Sequence, residues 1–148
     1  MTKVFTSAVI NAPVEKVWAE VRDFNNLPQW HPKFSRSHIE GGLPSDRIGC
    51  VRNFDIVDNG GTIRERLLEL SDIDYSFRYC IIDSPLPVEN YVAQLTLYPV
   101  TADNTTVGIW TAEFDVTNGD EAGVVDAVGN ATFGKAFEVL NEAFSAKR

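Results

Sequence analysis

The feature that most limits the fold of this chain is a series of strand-length segments between residues 34 and 116, followed by one long amphipathic segment. Short turn sequences rich in glycine, proline, aspartate and asparagine separate the segments, which is typical of strands joined as hairpins. About six antiparallel strands fit. Hairpins place consecutive strands side by side, so the pattern predicts a meander, and a sheet this long must curl or be covered on one face.

The C-terminal segment is predicted to supply that cover. After a capping sequence at residues 118–120, apolar residues recur every three or four positions as far as Phe144, with polar residues on the opposite side. This periodicity is typical of a helix that lies with one face on a sheet. Gly123, Gly129 and Gly134 interrupt it, and either close packing or space left for a ligand would explain them.

The N-terminal part is predicted to form one strand and two short helical segments. Residues 4–10 alternate between apolar and polar side chains, and Pro13 can open the helix that follows. Two prolines four residues apart restrict residues 23–32 to a turn or one short helical turn. This second segment carries Phe24 and Trp30.

Length and composition predict one domain. A chain of 148 residues with 44% hydrophobic content is long enough to build a full core and leave an internal cavity. The net charge of −8 would repel a phosphate backbone and gain nothing at an anionic membrane, so nucleic acid is not an expected partner. No apolar run is long enough for a signal peptide or a membrane span, and we expect a cytoplasmic location.

No cofactor or metal is expected. The sequence has no glycine-rich phosphate loop, and neither its two cysteines nor its two histidines have metal-ligand spacing. Cys50 and Cys80 are predicted to be small core residues with free thiols. His31 and His38 are predicted to have surface or loop roles.

Three predicted strands each carry one polar residue on an otherwise apolar face. Side chains alternate across a strand, which places Arg52 and Tyr91 on the apolar faces of their strands. The strand around Glu65 is charged on both faces, and turning Glu65 inward costs less than burying two arginines. A convergent Arg52, Glu65 and Tyr91 set is either a structural ion pair with a tyrosine beside it, side chains that reach solvent at a sheet edge, or a functional site.

In the functional interpretation, each polar residue has a role and an apolar pocket surrounds them. Arg52 would fix an anionic or carbonyl oxygen, Glu65 would act as an acceptor or general base, and Tyr91 would donate to an oxygen or shuttle a proton. The predicted ligand-binding side chains are Phe24, Trp30, Phe54, Tyr79, Leu95, Trp110, Phe133 and Phe137.

Several segments, in their order and spacing, resemble a known family: residues 10–18, 24–32, 49–52, 65–67 and 84–91, with the terminal helix. The chain resembles the START-like, birch-pollen-allergen-like helix-grip superfamily (SRPBCC), and most closely its bacterial polyketide cyclase/dehydrase-type branch. The resemblance implies an α+β helix-grip fold: a curved seven-stranded antiparallel sheet wrapped around a long C-terminal helix, with two short helices after strand one. It also implies an apolar cavity and a single START-like ligand-binding domain over residues 1–148.

The three polar residues also resemble those of plant lachrymatory-factor synthase-like proteins. Arg52 stands in Gly-x-x-Arg, Glu65 in Glu-x-Leu and Tyr91 in Tyr-Val-Ala, and in that family such residues act on a small sulfenic acid. Plant hormone receptors of this fold carry a similar polar set and bind without catalysis, so the resemblance transfers a pocket more securely than a reaction.

Three functions are therefore left open. The first is binding of a small or medium hydrophobic ligand with an oxygenated end, as a carrier or sensor. The second is a cofactor-independent polyketide cyclase/dehydrase-like lyase or isomerase that uses Arg52, Glu65 and Tyr91. The third is a partner-binding module whose surface is formed by residues 30–32 and 85–87.

Overall fold

The computed structural model describes residues 1–146, which form a seven-stranded antiparallel sheet curved around a long C-terminal helix. The strands follow the order β1-β7-β6-β5-β4-β3-β2, so β2 to β7 form a meander and β1 pairs with β7. This confirms the helix-grip fold expected from the sequence. The strands are β1 Thr2–Ile10, β2 Phe34–Ile39, β3 Val51–Ile56, β4 Gly61–Ser71, β5 Ser76–Asp83, β6 Val88–Val100 and β7 Thr105–Val116.

Two short helices follow β1, as predicted. Helix α1, Val14–Val21, begins directly after Pro13, and its apolar residues lie on one buried side. Helix α2, Leu27–Trp30, is a single turn with Pro28 near its start. A 3₁₀ turn, Glu40–Gly42, follows β2. Helix α1 packs against β6 and β7, while α2 lies beside β2 and the C-terminal helix.

The C-terminal helix consists of three consecutive segments, and the middle one is π-helical. Glu121–Asp126 is α-helical, Ala127–Gly134 is π-helical and Lys135–Ala146 is α-helical. The Asp120 side chain caps the start by accepting from the Gly123 amide at 3.1 Å. Gly129 packs closely on β1, because a Cβ atom there would lie 3.2 Å from Val4, and its carbonyl accepts from the Thr6 hydroxyl at 3.2 Å. At Gly129, close packing is therefore the explanation.

The inner face of the sheet carries the side chains that alternation placed there. Arg52, Glu65, Tyr79, Tyr91 and Trp110 are all buried. The β6–β7 register shifts between Glu89 and Val92, and Tyr91 still faces inward. Both cysteines are free, but only Cys50 is fully buried; Cys80 is half-buried, because it lies on the outer face of β5.

Within residues 1–146, no helix has both the length and the apolar character needed to cross a membrane. The cytoplasmic location expected from the sequence stays a prediction.

Gly108 on β7 leaves space for the ring of Phe137 on the C-terminal helix. A Cβ atom at residue 108 would lie 2.5 Å from the Phe137 ring, which is itself buried in the core. We expect Gly108→Ala to lower the free energy of unfolding by about 1–3 kcal/mol, because the ring must shift away from the added carbon. Urea denaturation measures this loss. Adding Phe137→Leu should return part of the lost stability in the double variant; a fully stable single variant would contradict the close contact.

Candidate functional site

A buried ion pair between Arg52 and Glu65 forms the centre of the site. The two residues are direct partners in the register of β3 and β4, so the sheet itself brings their side chains together. Both guanidinium donors Nε and Nη2 bind the same carboxylate oxygen, Glu65 Oε1, at 2.8 and 2.7 Å. The side chains are almost completely buried, with 3% of Arg52 and 6% of Glu65 exposed. The pair is therefore a desolvated one, in which each charge depends on the other.

Aromatic rings and a backbone carbonyl surround the guanidinium of Arg52. Its Nη1 donates to the Phe24 carbonyl at 3.0 Å, and its central carbon lies 3.9 Å from the Phe24 ring centroid. The rings of Tyr79 and Phe54 follow at 5.0 and 5.3 Å. Cation–π contacts of this kind stabilise a charge that has lost its water. Arg52 is thus held by the protein on several sides.

Two buried tyrosines lie close to the ion pair. The Trp110 indole Nε1 donates to the Tyr79 hydroxyl at 3.1 Å, and the Tyr91 ring stacks on Phe114 at 5.4 Å. Burial and the nearby Glu65 charge raise the pKa values of both tyrosines, and each hydroxyl influences the pKa of the other. Both phenols are neutral at ordinary pH and can donate hydrogen bonds.

The carboxylate of Glu65 keeps one oxygen for another partner. Among the described residues, the hydrogen bond from Arg52 Nε and the ion-pair contact from Arg52 Nη2 both involve Glu65 Oε1. Burial raises the pKa of Glu65 above its ordinary value, and the Arg52 charge opposes this rise. An acceptor that is desolvated in this way is a stronger base than a carboxylate in water. Glu65 Oε2 is therefore suited to accept a proton or a hydrogen bond.

The ion pair and the tyrosines line an internal cavity of about 40 Å³. The rest of its wall is largely apolar, with His31, Lys33 and Thr132 as its other polar members. The strands contribute the apolar or aromatic side chains Phe54, Ile56, Ile63, Ile81 and Trp110. The loops, α2, the start of β2 and the C-terminal helix contribute Leu27, Phe34, Leu86 and Val128.

The residues predicted to bind a ligand lie at three depths. Phe54, Tyr79 and Trp110 line the cavity, and Phe24 covers the guanidinium of Arg52. The other four lie behind the wall, next to Trp110. Phe133 stacks on Trp110 at 4.6 Å, Phe137 and Trp30 have ring distances of 5.9 and 6.4 Å to it, and Leu95 is its register partner on β6.

His31 lies in a loop, as one of the predicted alternatives had it, but it is buried and does not lie on the surface. Only 1% of it is exposed, and it lies in the wall of the cavity. Its Nε2 binds the Thr132 carbonyl at 2.9 Å, while its Nδ1 accepts from the Lys33 amide at 3.2 Å. Both ring nitrogens are used, so the neutral imidazole carries its proton on Nε2. His38 lies on β2 and is exposed, as expected.

Lys33 is a cavity residue that the sequence did not single out. It precedes β2, and its Nζ donates to the Thr132 hydroxyl at 3.1 Å. Burial lowers its pKa below the ordinary value. Thr132 lies in the π-helical segment of the C-terminal helix. His31 and Lys33 therefore connect that helix to the loop that follows α2, residues 31–33. No periodicity applies to a loop, so strand alternation gave no signal for either residue.

Fold and site together define a helix-grip protein: a curved sheet and a long helix enclose an apolar cavity. Its wall carries a polar patch, formed by Arg52, Glu65, Tyr79 and Tyr91. The family model described as "Polyketide cyclase / dehydrase and lipid transport" matches residues 1–147. The chain therefore belongs to this family, which is part of the superfamily that the sequence resembles.

Comparisons with individual proteins agree with this family. The abscisic acid receptor PYL7 of Arabidopsis thaliana is 32% identical over 96 residues, which are 64% of this chain and 44% of the receptor; the match thus spans less than half of that relative. The structure of the protein XoxI from Bacillus cereus has a TM-score of 0.87 at 28% identity, covering 98% of this chain and 96% of that one.

A more distant structural match supports the fold alone. Norcoclaurine synthase from Thalictrum flavum, solved with dopamine and hydroxybenzaldehyde, has a TM-score of 0.75 at 12% identity, over 99% of this chain and 88% of the synthase chain. At that identity the comparison carries no information about ligands or chemistry.

Proposed function

We propose that this protein binds a small hydrophobic molecule with one oxygenated end, as a carrier or sensor. The observation that carries the proposal is the Arg52–Glu65 pair beside the Tyr79 and Tyr91 hydroxyls, on the wall of an otherwise largely apolar cavity. A few polar groups that converge in an apolar pocket are typical of a site that orients a small ligand. The family description and the match to the abscisic acid receptor PYL7 favour the same function.

The polar patch divides into a contacting part and a positioning part. Glu65 Oε2 is proposed to accept from a ligand hydroxyl, and Tyr91 to donate to a ligand oxygen. Arg52 directs its donors at Glu65 and the Phe24 carbonyl, so we propose that it positions Glu65 and balances its charge. This role differs from the direct hold on an anionic oxygen considered from the sequence. Because the buried pair is neutral overall, the proposal favours a neutral ligand over an anion.

The cavity volume restricts the size of the ligand. A volume of about 40 Å³ is far below the roughly 300–1,000 Å³ of pockets for drug-sized molecules. The closed state therefore suits a ligand of a few heavy atoms. A medium-sized ligand requires a shift of the wall, whose parts outside the sheet and the C-terminal helix include Leu86 and Leu27 of α2.

Binding of neutral alcohols tests this proposal. We expect 1-propanol to shift the NMR signals of cavity residues such as Ile63 and Val128 more than 1-hexanol or benzyl alcohol does at equal concentration. Glu65→Gln should weaken binding about tenfold or more, because a hydrogen bond to a charged acceptor contributes roughly 1.5–3 kcal/mol. Glu69→Gln, at an exposed position of the same strand, is the matched control and should bind as the wild type does. Binding that is equally strong in Glu65→Gln would remove Glu65 from the site.

A second candidate function is a cofactor-independent isomerase or lyase. The observation that favours it is the raised pKa of Glu65 together with its open Oε2. Oε2 would take a proton from a carbon next to a substrate carbonyl, Tyr91 would donate to the resulting oxyanion, and the proton would return to another carbon. Exchange of butanone protons in D₂O, followed by NMR, should be faster with the wild type than with Glu65→Gln; equal rates argue against this function.

A further inference from the structure

Lys33 places a primary amine in the wall of the cavity, and the proposed function leaves this amine unused. We propose that Lys33 forms a reversible imine with small aldehydes that enter the cavity. The inference depends on the cavity binding proposed above and names a class of ligand for it, short-chain aldehydes. It concerns a residue that lies on a different element from the polar patch.

The environment of the Lys33 amine differs from that of two lysines on the surface, Lys3 and Lys135. Its Nζ donates to a neutral hydroxyl, that of Thr132, at 3.1 Å. Among residues 1–146 no carboxylate lies within 4.0 Å of it, whereas Lys3 pairs with Glu113 and Lys135 pairs with Glu138, both at 3.6 Å. A carboxylate would hold the ammonium form, and a hydroxyl does so far less.

The remaining surroundings of Lys33 also favour the neutral amine. The side chain is half-buried, the Phe34 ring lies 5.9 Å from Nζ, and burial lowers the pKa of Lys33. The neighbouring His31 is neutral and has both ring nitrogens engaged, so it supplies no negative charge. Lysines activated in this way, by partial desolvation without a counter-ion, are the ones that form Schiff bases.

The reaction needs no co-reactant. The Nζ lone pair adds to the carbonyl carbon, both Nζ hydrogens leave with the carbonyl oxygen as water, and a carbon–nitrogen double bond replaces the carbon–oxygen one. Water reverses the step. The small, apolar cavity suits a short aliphatic chain on the carbonyl, which would lie against the side chains of the sheet while the carbonyl carbon meets Lys33.

Selective trapping of the imine tests the proposal on the full chain. Propanal would be added below the protein concentration with sodium cyanoborohydride, which reduces an imine to a stable propylamine, and peptide mass mapping would locate the label. We expect Lys33 to be labelled at least tenfold faster than Lys16, an exposed lysine on α1. Excess 1-propanol, which occupies the same cavity but cannot form an imine, should slow labelling at Lys33 and leave Lys16 unchanged.

The control variant is Lys33→Arg, which keeps a donor for Thr132 but has no nucleophilic amine. It should remain folded, and its labelling should be confined to the surface amines. Labelling of Lys33 no faster than Lys16, or labelling that 1-propanol does not slow, overturns the imine. If the NMR titration shows 1-propanol in the cavity while labelling is unselective, the imine fails and the proposed binding function stands. If neither is seen, both fail.

Discussion

Arg52→Ala is expected to lower the free energy of unfolding by about 3–5 kcal/mol, because it leaves the buried carboxylate of Glu65 without its counter-ion. Glu65 is 6% exposed, and among the described residues its hydrogen bond and its ion-pair contact both come from Arg52. The truncation also removes the group stacked against Phe24. Guanidinium chloride denaturation at neutral pH, followed by circular dichroism, measures the loss as a lower transition midpoint.

A double variant separates the unpaired charge from the lost packing. Arg52→Met with Glu65→Leu removes both charges and keeps apolar volume, and it should recover most of the stability lost in Arg52→Ala. A double variant as unstable as the single one would show that packing, and not the stranded charge, causes the loss. A loss below about 1 kcal/mol in Arg52→Ala would mean that water reaches Glu65.

Acidification is expected to destabilise the protein through His31. Burial, with smaller contributions from the charges of Lys33, Lys135 and Arg52, lowers the pKa of His31 from 6.5 to about 4, and the hydrogen bond to the Thr132 carbonyl opposes this shift. Below pH 6.5 the unfolded chain takes up a proton at residue 31 that the folded protein excludes. Protonation therefore stabilises the unfolded state relative to the folded one. Stability therefore falls between about pH 6.5 and 4 and then levels off for this residue, a loss of about 3 kcal/mol for 2.5 pKa units.

The measurement is a pH series of denaturation midpoints for the wild type and His31→Gln, in which the glutamine amide can still donate to the Thr132 carbonyl. The difference between the two curves isolates the histidine from the acidic residues. It should change by about 3 kcal/mol over this interval. Parallel curves for the wild type and His31→Gln would contradict the neutral, buried imidazole.

The polar patch could be predicted because successive side chains of a strand point to opposite faces of the sheet. Alternation predicted the facing of Arg52 and Tyr91 from sequence alone, and the cost of burying two arginines turned Glu65 inward. The register of β3 and β4 then made Arg52 and Glu65 direct partners. The same rule placed Trp110 inside. Hydrophobic periodicity likewise predicted the C-terminal helix and its sheet-facing side.

Two kinds of information were outside the reach of these patterns. His31 and Lys33 lie in a loop, where backbone geometry decides the direction of each side chain, so composition could not separate a buried histidine from a surface one. The patterns also did not give the distance of an inward-facing residue from the cavity. Leu95 and Phe133 face inward as expected, but whether an inward residue lines the cavity or fills the core behind it depends on how the curved sheet and helix meet.

The two bonds that reach Thr132 come from different parts of that residue. His31 binds its backbone carbonyl, which every amino acid supplies, whereas Lys33 binds its side-chain hydroxyl, which only a few amino acids supply. A substitution that removes the Thr132 hydroxyl therefore takes this partner from the Lys33 amine, while the bond from His31 still holds the loop on the C-terminal helix.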